Sequence, residues 1–216
     1  MSKVKILLYC TKGKPYLWQE RDENNNKLNN FLTSNIFGKI VNFLNGKIVA
    51  ECECEKVDYY QMEYHANNLV MNDISIYDKV ESEEWGYDCF NRVISNEYSD
   101  EEIANYPLLK KSCLTFDELG SYVCPKGGVN NFYTLYLSNV KVLNNPLQFE
   151  KNFIYKDYKS NELITKAPQN MCNVYDRFGN HYILISIQPQ HLVNILNGKK
   201  TIEIRKSILN LLKETM

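Results

Sequence analysis

Apolar and polar positions alternate along several stretches of the chain, and this period of two predicts a protein built mainly from β-strands. The run VKILLYC (4–10) is apolar and rich in β-formers, which predicts a buried strand. The run NGKIVAECECEKVDYYQMEY (45–64) begins with an Asn-Gly turn and then alternates. Its Cys52 and Cys54 fall on one side and the neighbouring glutamates on the other, as in a half-buried strand.

The second half of the chain repeats this pattern in NFYTLYLSNVKVL (131–143) and HYILISIQ (181–188), and both are predicted to be strands. Residues 19–35 are polar and Asn-rich without a sustained period, which predicts a surface loop. Residues 66–96 are acidic with a weak pattern, so we expect loops with short elements there.

Helix starts are indicated by two capping-box spacings, in which a Ser or Thr side chain and a Glu side chain each meet a free backbone N–H. Ser99 stands three residues before Glu102, and Thr115 three residues before Glu118. Pro107 is expected to begin or divide a helix between these two points.

The last ordered unit is predicted to be a helix followed by a strand. Pro189 suits the first position of a helix, and Gly198 suits the left-handed residue that ends one. The run TIEIRK (201–206) then alternates, so Ile202 and Ile204 are expected to face a core. The opposite face of this strand would display Thr201, Glu203 and Arg205, with Lys199 and Lys200 on the turn before it.

This strand is a candidate site because its polar side chains suit an anionic or polar ligand. Arg205 has the geometry to bind a phosphate or carboxylate bidentately. Lys200 suits a point charge or a base of lowered pKa, and Glu203 suits an acceptor for a base or ribose or a general base. The spacing alone also fits an ordinary exposed strand in which Glu203 pairs with Arg205 or with a neighbouring strand.

Length and composition are those of one globular domain with insertions. The chain has 216 residues, of which 44% are hydrophobic. No run of about 18 apolar residues occurs, and the N-terminal apolar run is too short for a signal peptide, so we expect a cytoplasmic protein without a membrane partner. The seven cysteines are scattered without metal-ligand spacing, so we expect free thiols, no metal site and no cofactor.

Charge is segregated along the chain although the net charge is only -1. Residues 51–102 carry 3 Lys/Arg against 15 Asp/Glu, whereas residues 1–50 carry 8 against 3 and residues 181–216 carry 5 against 2. This pattern is typical of a protein with one anion-binding face and one acidic face, unless folding interleaves the blocks.

The segment ILISIQPQHLVNILNGKKTIEIRK (183–206) resembles the opening β-α-β motif of ASCH domains, a PUA-like family associated with RNA. The family motif G-x-K-x-x-E-x-R is matched by Gly198, Lys200, Glu203 and Arg205. The resemblance implies an α+β fold, namely a PUA-like (ASCH) small β-barrel with peripheral helices and an acidic insertion.

Four further segments resemble those that follow this motif in ASCH proteins of phages and bacterial mobile elements. They are LLYCTKGKPYLW (7–18), NGKIVAEC (45–52), KSCLTFDEL (111–119) and KAPQNMC (166–172). Because the motif lies after them here, the chain resembles a circular permutant: one domain over 1–216, assembled from 1–175 and the β-α-β motif 183–206. Strand 201–206 would then lie near strand 4–10.

A truncated tandem is the competing explanation for this order. Residues 183–216 would then begin a second domain, and two chains could complete each other by exchange. The resemblance therefore leaves open whether the protein is a monomer or a dimer.

The permuted arrangement implies a cationic cleft built from both ends of the chain. Lys12 and Lys14 would lie beside Lys200 and Arg205, and Trp18 would offer a stacking surface at the rim. The predicted nucleic-acid-binding residues are Lys12, Lys14, Trp18, Lys199, Lys200, Thr201 and Arg205. RNA or a nucleotide-like ligand is the expected partner.

Two other functions are open at this point. One is a hydrolase acting on RNA or on a modified nucleoside such as N4-acetylcytidine, with Lys200 and Glu203 as catalytic residues. Glu203 occupies the position at which the deacetylating branch of the family has a nucleophilic Thr. The other is a protein-interaction module that uses the acidic residues 51–102.

Overall fold

The computed structural model describes residues 4–11, 44–65, 73–80, 89–156, 163–164, 166, 169–209 and 212. Ten strands and five short helices occur in these ranges. The strands are β1 (Val4–Cys10), β2 (Lys47–His65), β3 (Asp73–Val80), β4 (Cys89–Ser95), β5 (Gly128–Gln148), β6 (Phe153–Lys156), β7 (Leu163–Ile164), β8 (Met171–Asp176), β9 (His181–Ile187) and β10 (Ile202–Arg205). The helices are α1 (Asp100–Asn105), α2 (Pro107–Ser112), α3 (Phe116–Val123), α4 (Phe149–Asn152) and α5 (Pro189–Leu196).

One mixed sheet contains all ten of these strands. Its main path runs β10-β5-β2-β1-β9-β8-β6-β7, and β3 joins the second half of β2 with β4 beside it. β1 and β9 are parallel, and the other described pairs are antiparallel. The parallel pair is possible because a long part of the chain separates β1 from β9.

β2 and β5 form the long centre of the sheet. They pair antiparallel from Lys47 opposite Gln148 to Tyr64 opposite Gly128, with register shifts at three places in the first half of β2. Such bulges bend a strand and increase its twist. The bend lets the first half of β2 pair with β1 and the second half with β3.

Apolar side chains fill both faces of this bent sheet. The central core is formed mainly by β1, β2, β5, β9 and α5, and it includes Ile6, Leu8, Cys52, Cys54, Leu135, Ile183, Ile185 and Leu192. The second core lies between the far half of the sheet and helices α2 and α3, and it includes Met62, Ile76, Ile94, Leu109, Leu119, Phe132, Ile202 and Ile204. The outer core covers the other face of β1 and β9, and it includes Leu7, Ile48, Phe149, Val174 and Leu184.

The alternating sequence runs correspond to strands β1, β2, β5, β9 and β10, so those predictions are confirmed. The expectation of loops with only short elements over 66–96 is wrong in part, because β3 and β4 have 8 and 7 residues. β3 pairs with the second half of β2 and β4 pairs with β3, and these ladders stabilise strands whose own pattern is weak. The loop predicted over 19–35 lies outside the described residues.

The structure shows an α+β fold, a mixed sheet with few helices. A closed barrel was expected, but no ladder among the described strands joins the two ends of the sheet, β10 and β7. Part of the acidic block is β2, a central strand, so the block is not wholly an insertion. None of the described helices is long and apolar enough to cross a membrane.

Both predicted capping boxes are present. The Ser99 hydroxyl accepts from the backbone N–H of Glu102, and the Thr115 hydroxyl accepts from that of Glu118, with each Glu bonding back to the cap backbone. Pro107 and Pro189 begin α2 and α5. Gly198 has φ +77°, the left-handed conformation that glycine adopts without steric cost.

The cap of α3 is expected to contribute more to global stability than the cap of α1. α3 buries Phe116, Leu119 and Val123, whereas α1 buries no residue and can fray locally. We expect Thr115→Ala to lower the free energy of unfolding by about 1 kcal/mol in urea denaturation. Thr115→Ser, which keeps the hydroxyl, and Ser99→Ala should each have a smaller effect, and equal losses in all three variants would contradict this assignment.

Candidate functional site

β10 is buried on both of its faces. Ile202 and Ile204 pack in the second core, as the alternation predicts. Glu203 and Arg205 point to the opposite face, but they are only 7% and 8% exposed. The expectation that the strand displays them to solvent is therefore wrong, whereas Thr201 is exposed as expected.

Burial of this face has two causes. Glu203 lies opposite Leu135 of β5, a residue of the central core, in the antiparallel ladder. The segment after β10 also packs on that core through Ile208, Leu209 and the fully buried Leu212. Polar side chains enclosed in this way must find partners within the protein.

Glu203 lies between two cations, and the three side chains form a buried ion network. Its Oε2 atom is 3.2 Å from the Nζ atom of Lys200, and its Oε1 atom is 3.0 Å from the Nη2 atom of Arg205. Lys200, which is 3% exposed, also donates to the carbonyl oxygen of Ser112 at 2.9 Å. The network thus carries two positive charges and one negative charge away from solvent.

Arg205 connects β10 to a strand that is not its neighbour in the sheet. Its Nη2 atom donates to the Ser186 carbonyl oxygen at 2.8 Å, and its Nη1 atom donates to Asn170 Oδ1 at 3.1 Å. Ser186 belongs to β9, whereas β5, β2 and β1 lie between β10 and β9 along the sheet path. The sheet is therefore curled, and a side chain bridges the gap that no described backbone ladder closes.

This bridge links β10 to β9, the strand that pairs with β1. Ser186 pairs with Tyr9 in the parallel ladder, so β10 is linked to the strand next to β1. The N–H and hydroxyl of Thr11 both bond to the carbonyl oxygen of Ile187, at 3.0 and 3.3 Å. The end of β1 and Arg205 thus meet adjacent carbonyls of β9. Lys12, Lys14 and Trp18 lie outside the described residues.

The charge on Glu203 is stabilised by its neighbours. Burial alone would raise the pKa of this carboxyl, but the charges of Lys200 and Arg205 outweigh it and hold the pKa below its usual value of 4.5. The nearby His191 acts in the same direction. Glu203 is therefore a carboxylate at neutral pH, and its oxygens can act as hydrogen-bond acceptors.

Two polar atoms of this network lack a hydrogen-bond partner among the described residues. They are Glu203 Oε2, whose contact with Lys200 has ion-pair distance without hydrogen-bond geometry, and Arg205 Nε. The network thus contains a buried donor without a partner in the described chain and a buried acceptor whose contact is an ion pair. Such atoms cost free energy unless another group pairs with them.

Exposed cations flank the turn that leads into β10. Lys199 is exposed, as predicted, and the N–H of Thr201 donates to the carbonyl oxygen of Lys111 at 2.9 Å. This bond places the end of α2, with exposed Lys110 and Lys111, beside the predicted site. The sequence analysis missed these two lysines, although their position in the last turn of a helix is a familiar signal for exposed cations.

Tyr122 and Lys206 were also missed. Tyr122 lies in the last turn of α3, and Lys206 follows Arg205 directly. The Lys206 Nζ atom lies 5.2 Å from the centre of the Tyr122 ring. No periodic signal in the sequence links these residues, because α3 and β10 come together only in the fold.

Metal-binding chemistry finds no support in the described parts of the chain. No group of three or more His, Cys, Asp or Glu side chains is arranged there to hold a metal ion. Six cysteines are buried and form no disulfide in the described part of the chain: Cys10, Cys52, Cys54, Cys113, Cys124 and Cys172. Burial raises the pKa of the Cys10 thiol to about 12 and also raises that of Cys52, so both are neutral thiols at physiological pH.

Comparison with known proteins gives no match. No protein-family model matches the chain, and neither does any curated protein or any solved structure. The resemblance to ASCH domains therefore rests on the motifs quoted above, and a function has to be argued from the geometry of the site.

Removal of Arg205 is expected to destabilise the fold strongly. Arg205→Met leaves the Glu203 carboxylate with one cation and breaks the link to β9, so we expect a loss of about 3–5 kcal/mol in urea denaturation. Arg92 is the matched control, because its ion pair with Glu97 is exposed. Arg92→Met should cost about 1 kcal/mol or less, and a similar loss in both variants would argue against the bridge.

Glu203 is also expected to make stability depend on pH. Its folded pKa lies below its unfolded value, so its contribution is complete above about pH 4.5 and is lost as the pH falls through the folded pKa. The stability difference between wild type and Glu203→Gln should therefore shrink between about pH 6 and about pH 3. Glu101→Gln, at an exposed site, controls for net charge. An unchanged difference at the two pH values would contradict the assignment.

Proposed function

We propose that the protein binds RNA or a nucleotide-like ligand at a cationic site around β10, in a PUA-like fold of the ASCH type. The observation that carries this proposal is the buried network of Lys200, Glu203 and Arg205, which has a net positive charge and a buried donor, Arg205 Nε, without a partner among the described residues. Three of the residues that match the family motif thus contact one another.

The buried residues and the exposed lysines have different roles in this site. Both Nη atoms of Arg205 already donate to the protein, so Arg205 is suited to shaping the site rather than to binding a phosphate in bidentate fashion. Phosphate contacts fall instead to the exposed cations: Lys110, Lys111, Lys199 and Lys206. Such contacts supply most of the affinity for nucleic acid without reading its sequence.

The shape of the curled sheet supports a binding site at this place. The end of β1, the end of β9 and β10 converge on Ser186 and Ile187. Lys12 and Lys14 follow directly in the sequence after Thr11 and would add to the positive charge of the site. This arrangement favours RNA binding over an acidic interaction surface as the function of β10.

Salt dependence of binding tests this proposal. We expect wild type to bind a labelled single-stranded RNA of about ten nucleotides in fluorescence anisotropy, with an affinity that falls between about 50 and 300 mM KCl. The double variant Lys111→Gln, Lys199→Gln should bind more weakly, and the slope of log affinity against log salt should fall by about 0.7 for each lost phosphate contact.

Lys151 provides the matched control, since it is exposed on α4, which packs with the outer core. Lys151→Gln should bind like wild type. Absence of salt-dependent binding in wild type, or an equal loss in the control, would contradict the proposal. Release of cytidine from N4-acetylcytidine that disappears in Lys200→Met would replace simple binding by hydrolysis.

A further inference from the structure

Tyr122 is a partly exposed aromatic residue near the end of β10. Its side chain lies at the end of α3, and the residue is 42% exposed. Lys206, an exposed cation directly after β10, extends over this ring with its Nζ atom 5.2 Å from the ring centre. An aromatic surface with a cation above it is the combination that single-stranded nucleic-acid sites use for a base and its phosphate.

The ring lies near the end of the strand that carries the network, where Lys206 follows Arg205. Burial raises the pKa of the Tyr122 phenol, and the charge of Arg205 acts against this effect. Tyr122 is therefore a neutral phenol with the Lys206 cation over its ring.

We propose that Tyr122 is the stacking surface for one unpaired base, with Lys206 as the contact of its phosphate. This inference rests on the proposed function and narrows it. The ligand class is an unpaired nucleotide, either free or within a single strand, rather than a duplex, because bases in a duplex have no free face for stacking.

The chain contains a matched control for the aromatic ring. Tyr98 is 40% exposed and lies in the turn between β4 and α1, where its N–H donates to the Ser95 carbonyl oxygen. By contrast, Tyr60 is 7% exposed and stacks on Phe132 in the second core, so it is a packing residue. A general effect of losing a surface tyrosine is therefore measurable separately at Tyr98.

The test compares Tyr122→Phe, Tyr122→Leu and Tyr98→Leu in the anisotropy assay with the same RNA, after circular dichroism has shown that each variant is folded. Loss of stacking with one base should weaken binding about 5- to 100-fold in Tyr122→Leu. Tyr122→Phe, which keeps the ring, should stay within about threefold of wild type. Tyr98→Leu should be unchanged, and a duplex of the same sequence should bind more weakly than the single strand.

A fluorescence readout separates stacking from a structural role. In Tyr122→Trp, the oligonucleotide should quench the emission beyond the change seen in wild type, whose two tryptophans give the background. Tyr98→Trp should show no such additional quenching. The same assay with cytidine or uridine monophosphate shows whether the ligand is a free nucleotide or a strand. Binding of the mononucleotide that depends on Tyr122 indicates a free nucleotide, whereas binding of the oligonucleotide alone indicates RNA.

The outcomes distinguish this inference from the proposed function. If wild type binds the oligonucleotide and Tyr122→Leu binds equally well, the stacking role is overturned and the cationic site stands. If wild type binds neither oligonucleotide nor mononucleotide, both are overturned. Stronger binding of the duplex than of the single strand would also overturn the stacking role.

Discussion

The hydrogen bond from Arg205 to the carbonyl oxygen of Ser186 is the contact on which the candidate site depends. It joins β10 to β9 across a sheet in which three strands separate them. It also fixes the guanidinium beside Glu203, which in turn holds Lys200. Without this contact, β10 keeps its ladder with β5 and the packing of Ile202 and Ile204, but it loses its direct bond to β9.

A buried ion network needs an explanation beyond stability. Removing charges from water costs several kcal/mol for each ion, and well-packed apolar residues often stabilise a fold as well or better. The network around Glu203 is also incompletely paired, because the buried donor Arg205 Nε has no partner among the described residues. A ligand that pairs with this donor would offset part of that cost, which supports a binding role for the site.

Local sequence signals predicted five of the ten described strands and both helix caps, because alternation and capping depend on residues within a few positions of one another. The motif also predicted that Lys200, Glu203 and Arg205 belong together. Their burial could not be predicted, since it depends on Leu135, on Ser186 and on the segment that contains Leu212. These partners are distant in sequence and follow no period.

The same limit applies to the cations and the ring around the site. The Lys111 carbonyl oxygen accepts from the N–H of Thr201 because α2 packs beside β10. The Tyr122 ring contacts the Lys206 side chain just after the end of that strand. β3 and β4 were difficult to predict for a related reason: β3 is stabilised by pairing with β2, and β4 by pairing with β3, rather than by a strong pattern of their own.

The buried thiols have a consequence for how the molecule can be observed. Cys52 lies in the central core within reach of the charge of Glu203, and Cys124 lies in the second core. A thiol reagent can reach a fully buried sulfur only when that part of the protein opens. The labelling rates of the individual cysteines therefore report separately how often each of these two cores opens.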